Sequence, residues 1–216
     1  MTFEITHPEK PTETDKIDDN DYMLPHAING VLPDFSSFPN MKARIPILIE
    51  EKSVPLDTTE ITFSNLDGDT DQLYYITGEI NLVRVSTNGI IYIQVNNDDV
   101  KSNYSGVQIH YYNGSSGVTS TSIPTTELGL RVLQDRSGDQ ICDFEVTLYS
   151  KKGKERKYHA INHHYSPTVA FVTNNTAIWK NTTDNITSLT FKKTSGSFSG
   201  VIKLYKMVDI NLQNLL

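Results

Sequence analysis

The sequence predicts an all-β fold, an antiparallel two-sheet sandwich of jelly-roll type carrying an extended N-terminal arm, and three observations predict it. First, apolar residues after Met41 recur with a period of two in short segments separated by turn residues. Second, Asn, Ser and Thr make up roughly a quarter of the chain against a hydrophobic fraction of 37%, a bias that suits half-buried pleated surfaces and tight connections better than helices. Third, the first forty residues follow neither pattern. Pro8, Pro11, Pro25, Pro33 and Pro39 remove backbone donors at intervals, so that segment runs extended.

The organisation that follows is an arm over residues 1–42 and a sandwich over residues 43–216. In the sandwich, Ile45, Ile47 and Ile49 share one face of a first segment. Later segments repeat the alternation at Ile91, Ile93 and Val95, at Val107, Ile109 and Tyr111, at Leu128, Leu130 and Val132, and at Phe144, Val146 and Leu148. Further strands are predicted at 59–64, 72–83, 155–162, 168–173, 186–192 and 200–207. Asn88-Gly89, Asn113-Gly114, Ser137-Gly138-Asp139, Lys152-Gly153 and Ser195-Gly196 supply the turns. Strands of this kind cannot all be buried on both sides, so the sheets must pair face to face or close on themselves. The C-terminal run Val208–Leu216 alternates and ends in two leucines; it either pairs with a sheet edge or inserts into another subunit.

Charge separates the two parts. Residues 1–40 carry eight acidic and two basic side chains, which accounts for −6 of the chain's formal charge of −7. An arm this acidic, with so little apolar area, does not offset ~1–2 kcal/mol of backbone entropy per residue alone, so it is expected to order against a partner. Its isolated apolar groups, Tyr22, Met23 and Leu24, then Phe35 and Phe38, are the candidate anchors. The near-neutral remainder argues against duplex nucleic acid as a partner. Lys151, Lys152, Lys154, Arg156 and Lys157 cluster around Gly153 and read as a solvated hairpin tip. The start of the chain lacks a secretory pattern and no stretch reaches the length of a membrane span, so a soluble product is expected, with no membrane insertion. The single cysteine, Cys142, forms no internal disulfide and fits a reducing site of synthesis. Asn-x-Ser/Thr triplets begin at Asn103, Asn113, Asn174, Asn181 and Asn185, as a chain so rich in these residues produces by chance.

Chemistry-bearing patterns are weak. Asp67-Gly68-Asp69-Thr70-Asp71 places carboxylates at alternate positions, but Gln72 and Gly78 stand where an EF-hand needs Gly and Glu. On a strand, His159 and His163 face one way and His164 the other, which does not converge on a metal. No Gly-x-Ser-x-Gly elbow or nucleophile beside an oriented base is recognisable, though paired acids on neighbouring strands stay open. The expectation is no catalytic residue, no cofactor and no metal ligand. Tyr104, Tyr111, Tyr112, Tyr165 and Trp179 either cover the core or form a platform for sugar rings, with Tyr112 and Trp179 as the candidate glycan contacts.

Several stretches carry a family resemblance. Leu73-Tyr74-Tyr75-Ile76-Thr77-Gly78-Glu79-Ile80, Ile91-Tyr92-Ile93-Gln94-Val95-Asn96-Asn97-Asp98 and Ser102-Asn103-Tyr104 resemble a module of tailed-bacteriophage virion proteins. Ile178-Trp179-Lys180-Asn181-Thr182-Thr183-Asp184-Asn185-Ile186-Thr187-Ser188-Leu189-Thr190-Phe191, Ser195-Gly196-Ser197-Phe198-Ser199-Gly200 and Ile202-Lys203-Leu204-Tyr205-Lys206 are similar to its closing signature. The resemblance spans about residues 59 to 207. It implies a non-enzymatic virion structural protein, made in the host cytoplasm, with other virion proteins as partners. It also implies a homo-oligomer such as a trimer, serving tail-side attachment or adhesion to a host-surface glycan. Capsid decoration, as a head-fibre protein, is the alternative within that family. A stand-alone carbohydrate-binding module or a glycan-processing enzyme is the alternative outside it. The chain has no long fibrous shaft, which speaks against a full-length tail fibre.

Overall fold

Alternating β-branched, aromatic and polar residues give the chain twelve strands among the residues that the computed structural model describes, which are 42–83, 89–112, 118–123, 129–134, 140–165 and 170–211. They are β1 (Lys42–Thr58), β2 (Glu60–Ser64), β3 (Leu73–Val83), β4 (Ile90–Val95), β5 (Tyr104–Tyr112), β6 (Val118–Ile123), β7 (Leu130–Gln134), β8 (Gln140–Tyr149), β9 (Arg156–Tyr165), β10 (Ala170–Trp179), β11 (Ser188–Lys193) and β12 (Ser197–Asn211). One turn of helix, α1 (Gly68–Asp71), and a 3-10 turn at Lys101–Asn103 complete the set. Arg44–Asp209 form one compact unit. The second unit, Met1–Ala43 with Ile210–Leu216, is described only at residues 42–43 and 210–211.

The strands form two antiparallel sheets packed against each other. The larger has the order β1-β12-β3-β8-β9-β10-β5-β6 and the smaller β2-β11-β4-β7. Within this, β1-β12-β3-β8 facing β2-β11-β4-β7 is an eight-stranded jelly roll, since successive strands β1, β2, β3 and β4, then β7, β8, β11 and β12, pass between the sheets. Two hairpins, β5–β6 and β9–β10, are inserted into that frame and widen the larger sheet by four strands.

The jelly-roll half has an apolar interior. Residues of β3 and β8 alternate strictly, so that Ile76, Ile80 and Leu82 with Phe144, Val146 and Leu148 are buried and meet Phe63, Ile91, Ile93 and Phe191 of the smaller sheet. Phe191 lies against both Phe63 (ring centroids 6.1 Å apart) and Phe144 (5.9 Å). Gly78 is the register partner of Phe144, and a Cβ there would stand 2.3 Å from the Phe144 ring, so only glycine lets that ring lie across β3.

The interior under the inserted hairpins is apolar at Tyr104, Tyr158, Ala160, Ala177 and Trp179 but polar toward its other end. Gln108 and His110 of β5, Asn162 and His164 of β9, Thr173 and Asn175 of β10 and Arg131 of β7 are all buried. Here the period of two holds but the faces are inverted. Val107 and Tyr111, on the apolar side of β5, are 41% and 45% exposed, while Gln108 and His110 point inward. In β1 the expected core face is not buried either: Ile45, Ile47 and Ile49 stay exposed, and so does Leu48 on the other face. The cause in β5 is its polar surroundings: β7 of the facing sheet and the adjacent strand β10 offer the inward side chains hydrogen bonds that water would otherwise supply.

Predicted boundaries moved where hydrogen bonding continued beyond the apolar run. β10 extends to Trp179 because Asn174, Asn175 and Thr176 pair with β5 and β9 despite their polarity. The hairpin tip at Gly153 (φ 73°) and the turn at Gly196 (φ 77°), where the chain crosses from β11 to β12 of the other sheet, fall where turn chemistry places them. Arg156 leaves the basic tip cluster: it is fully buried and donates to the carbonyls of Ser150, Asn181 and Asp184, whereas Lys151, Lys152, Lys154 and Lys157 are exposed. Burial lowers its pKa from the ordinary guanidinium value. Tyr22, Met23, Leu24, Phe35 and Phe38 lie outside the described residues, as do Leu128 and the turns at Asn113-Gly114 and Ser137-Gly138-Asp139.

Candidate functional site: a depression on the outer face of the larger sheet

The strict alternation that buries one side of β3, β8 and β9 turns their other side outward, and register then decides which outward side chains meet. Glu79 of β3 stands opposite Asp143 of β8, and Asp143 opposite His163 of β9. One row along, Lys203 of β12, Thr77 and Glu145 are in line. In the next row Tyr205 faces Tyr75, their rings 6.0 Å apart and tilted by 40°. Glu51 of β1 closes one end. Tyr75 apart, these groups line a depression of about 490 Å³, and Tyr75 adjoins it through its contact with Tyr205.

The electrostatics are lopsided. Four carboxylates, Glu51, Glu79, Asp143 and Glu145, share the depression with one lysine and one histidine. Like charges directly opposite on neighbouring strands repel, so the Glu79–Asp143 pair costs stability. Lys203 Nζ lies 3.0 Å from Glu51, and the hydrogen bond to that carboxylate, then its charge, raises the lysine pKa. His163 Nδ1 lies 3.3 Å from Asp143. Burial, followed by the hydrogen bond to Glu145 and its charge, pushes the Tyr75 hydroxyl up to about 12. The depression thus offers carboxylate acceptors, a cationic donor and the Tyr205 ring within one concave surface, with the Tyr75 ring beside it.

Trp179, a candidate glycan contact from sequence, is corrected by its burial. Only 1% of its surface is exposed, its Nε1 donates to Asp98 Oδ2 at 2.7 Å, and the Arg156 guanidinium lies 5.3 Å from its ring centre. Such a ring presents no face to a sugar; it joins the end of β10 to the loop after β4. Tyr104 is buried as well, its hydroxyl donating to the Asp98 carbonyl. Tyr112 ends β5 beside Phe171, and only its backbone is described.

The carboxylates of the Asp67–Asp71 loop are taken up by protein donors. Asp67 caps α1 through Thr70 and also accepts from Asn185, Asp69 accepts from the Lys152 backbone, and Asp71 accepts from the Tyr74 hydroxyl and pairs with Lys206. Among the described residues no group of three His, Cys, Asp or Glu side chains is arranged to hold a metal ion. His159 and His163 face outward and His164 inward, as the strand period requires.

A constellation absent from the sequence reading lies inside. Cys142 Sγ is 3.1 Å from His164 Nδ1, and His164 Nε2 is 2.6 Å from Asn162 Oδ1. This is the order of nucleophile, base and orienting amide, but all three residues are at most 2% exposed, so substrate has no route to the thiol. The signal was present: residues paired across the β8–β9 hairpin lie equally far from Gly153, which sets Cys142 against His164 and Asp143 against His163.

The chain matches no protein-family model and no curated protein sequence. Among the described residues no helix is long and apolar enough to cross a membrane.

Proposed function

We propose that the protein is a non-enzymatic structural component of a tailed-bacteriophage virion. It is mounted through residues 1–42 and displays its sandwich for tail-side attachment or adhesion to a host-surface glycan. The observation that carries the adhesive role is the outer-face depression. Sugars are recognised by carboxylates that accept their hydroxyls and by aromatic rings that cover their C–H faces, and Glu79, Asp143 and Glu145 beside Tyr75 and Tyr205 supply both. The virion assignment rests on the resemblance of residues 59 to 207, and the all-β sandwich is consistent with it. Head and tail mounting use the same arm, so capsid decoration is the alternative that imaging of labelled particles separates.

A glycan array with the purified full chain tests the adhesive role. Binding is expected, weakened roughly tenfold or more by Tyr205→Ala or Glu145→Gln, a typical loss at a central contact. An array with no bound glycan, or binding indifferent to both substitutions, would overturn it. One observation favours a glycan-processing enzyme instead: Glu79, Asp143 and Glu145 share a single concave surface, where carboxyl groups can act as acid and base. Polysaccharide turnover that is abolished by Glu145→Gln would establish that reading in place of the non-enzymatic one.

A further inference from the structure

The apolar surface left exposed on the sandwich is concentrated on one edge strand. Of the eleven large hydrophobic side chains that remain exposed among the described residues, five belong to β1: Ile45, Ile47, Leu48, Ile49 and Leu56. β1 is the terminal strand of the larger sheet, hydrogen-bonded on one side to β12 and unpaired on the other among the described strands. A long apolar edge is a template for another strand, and sheet proteins ordinarily blunt such edges with charge. The opposite edge, β6, is blunted in sequence, reading Val-Thr-Ser-Thr-Ser-Ile. β1 is not.

We propose that the segment Arg44–Glu50 of β1 is an interface that takes a second copy of this chain, strand against strand, about a two-fold axis at Ile47. The argument for a second copy is self-complementarity. Antiparallel pairing reversed about Ile47 sets Ile47 against its own image and Ile45 against Ile49. It also sets basic Arg44 against acidic Glu50 at both ends of the apolar patch. A contact with an unrelated partner needs no such symmetry in the sequence. Arg44 and Glu50 are partly exposed, and among the described residues they form surface ion pairs with Asp209 and Lys52, which a neighbour can exchange. Pro46 fits this position. Proline is tolerated at an edge, and by removing one donor it keeps the inter-copy ladder short, so side-chain burial carries most of the contact. The interface is independent of the adhesive reading of the outer-face depression. It is also two-fold, so the trimer implied by the resemblance would need a different contact.

Cross-linking of the full chain tests the register. Cys142 is buried, so the unmodified protein gives no cross-linked product under mild oxidation, and an added thiol reports its own neighbourhood. Ile47→Cys is expected to form a disulfide-linked dimer readily, because the two copies of that residue face each other at a separation a disulfide spans. Leu56→Cys, on the same strand but far from the axis and 77% exposed, is expected to stay largely uncross-linked. Light scattering should give a dimer for the unmodified chain, with Ile47→Lys weakening association roughly tenfold or more. Ile47 is 41% exposed within one chain, so circular dichroism should show the lysine variant folded. A monomer at every concentration would overturn the proposal. So would a dimer that Ile47→Lys leaves intact, or one in which Leu56→Cys cross-links and Ile47→Cys does not.

Discussion

The two halves of the sandwich interior solve the same problem by different means. Under β12, β3 and β8 the filling is Phe63, Ile76, Ile80, Phe144, Phe191 and Leu204, side chains that gain by leaving water and need only fit. Under the polar end of β9, β10 and β5 it is Arg131, Gln108, Asn162, Asn175, His110 and His164, which lose hydration and must each recover it from a neighbour. They do so in a connected set. Arg131 Nη1 donates to Gln108 Oε1 at 2.6 Å, Asn162 and Asn175 both donate to the Val132 carbonyl, at 2.6 and 2.8 Å, and the Tyr158 hydroxyl donates to the Arg131 carbonyl. The recovery is incomplete at Gln108 Nε2 and Asn175 Oδ1, which are buried without a hydrogen-bond partner, as is Gln94 Oε1 of β4 in the other half. The jelly-roll frame is held by non-directional burial, and the inserted hairpins are held to β7 by directional bonds.

Truncation should separate the halves most clearly on the apolar side. Phe144→Ala removes the ring that bridges Gly78 and Phe191 and leaves a cavity that rigid strands cannot close, so a loss of about 3–5 kcal/mol is expected in urea unfolding. On the polar side the telling variant is Gln108→Leu, which keeps volume but removes the Oε1 acceptor that Gln108 offers the Arg131 guanidinium. A loss of about 1–3 kcal/mol is expected. The double variant Gln108→Leu/Arg131→Met should cost clearly less than the sum of the two single changes, because residues in one hydrogen-bond network are coupled. Additivity in that cycle would mean the polar interior is not a network, and the contrast between the halves would lose its basis.

The same contrast explains what could be read from the amino-acid order. Strict alternation at residues 74–83 and 141–149 coincides with burial, so β3 and β8 were legible, as were the turns at Gly153 and Gly196. In β5 the period was legible and the direction was not. Val107, Ile109 and Tyr111 look like a core face, and nothing local states that Arg131 and Thr173 will come to meet Gln108 and His110. In β1 the apolar residues were legible and their lack of a covering layer was not, since exposure depends on how far the smaller sheet extends. The outer-face depression uses residues from β1, β3, β8, β9 and β12, and its assembly depends on strand order, which a jelly roll sets through crossovers of long sequence separation. Only the Asp143–His163 and Cys142–His164 pairs follow from a single hairpin. Trp179 misled because an aromatic among turn residues looks exposed, whereas Arg156, 23 positions earlier, and Asp98, on another loop, enclose it.

The smallest effect is expected at the rim of the jelly-roll half, where polar groups act singly and in water. Asp67 caps α1 between β2 and β3. Its pKa is lowered, first by the hydrogen bond from the Thr70 side chain and then by that from Asn185. A carboxyl whose folded pKa lies below its unfolded value stabilises the fold above the unfolded value, about pH 4, and that contribution is lost as pH falls through the lowered folded value. Asp67→Asn keeps the shape and the acceptor oxygen but removes the titration. The variant should therefore be less stable than the parent near neutral pH, and the gap should shrink as the solution is acidified through that window. Urea midpoints for both proteins, measured from neutral pH down to about pH 3, give the answer. A gap that stays constant with pH would show that the cap acts through hydrogen-bond geometry alone. A gap that closes would show that even the burial-held frame relies on an ionised side chain at its margin.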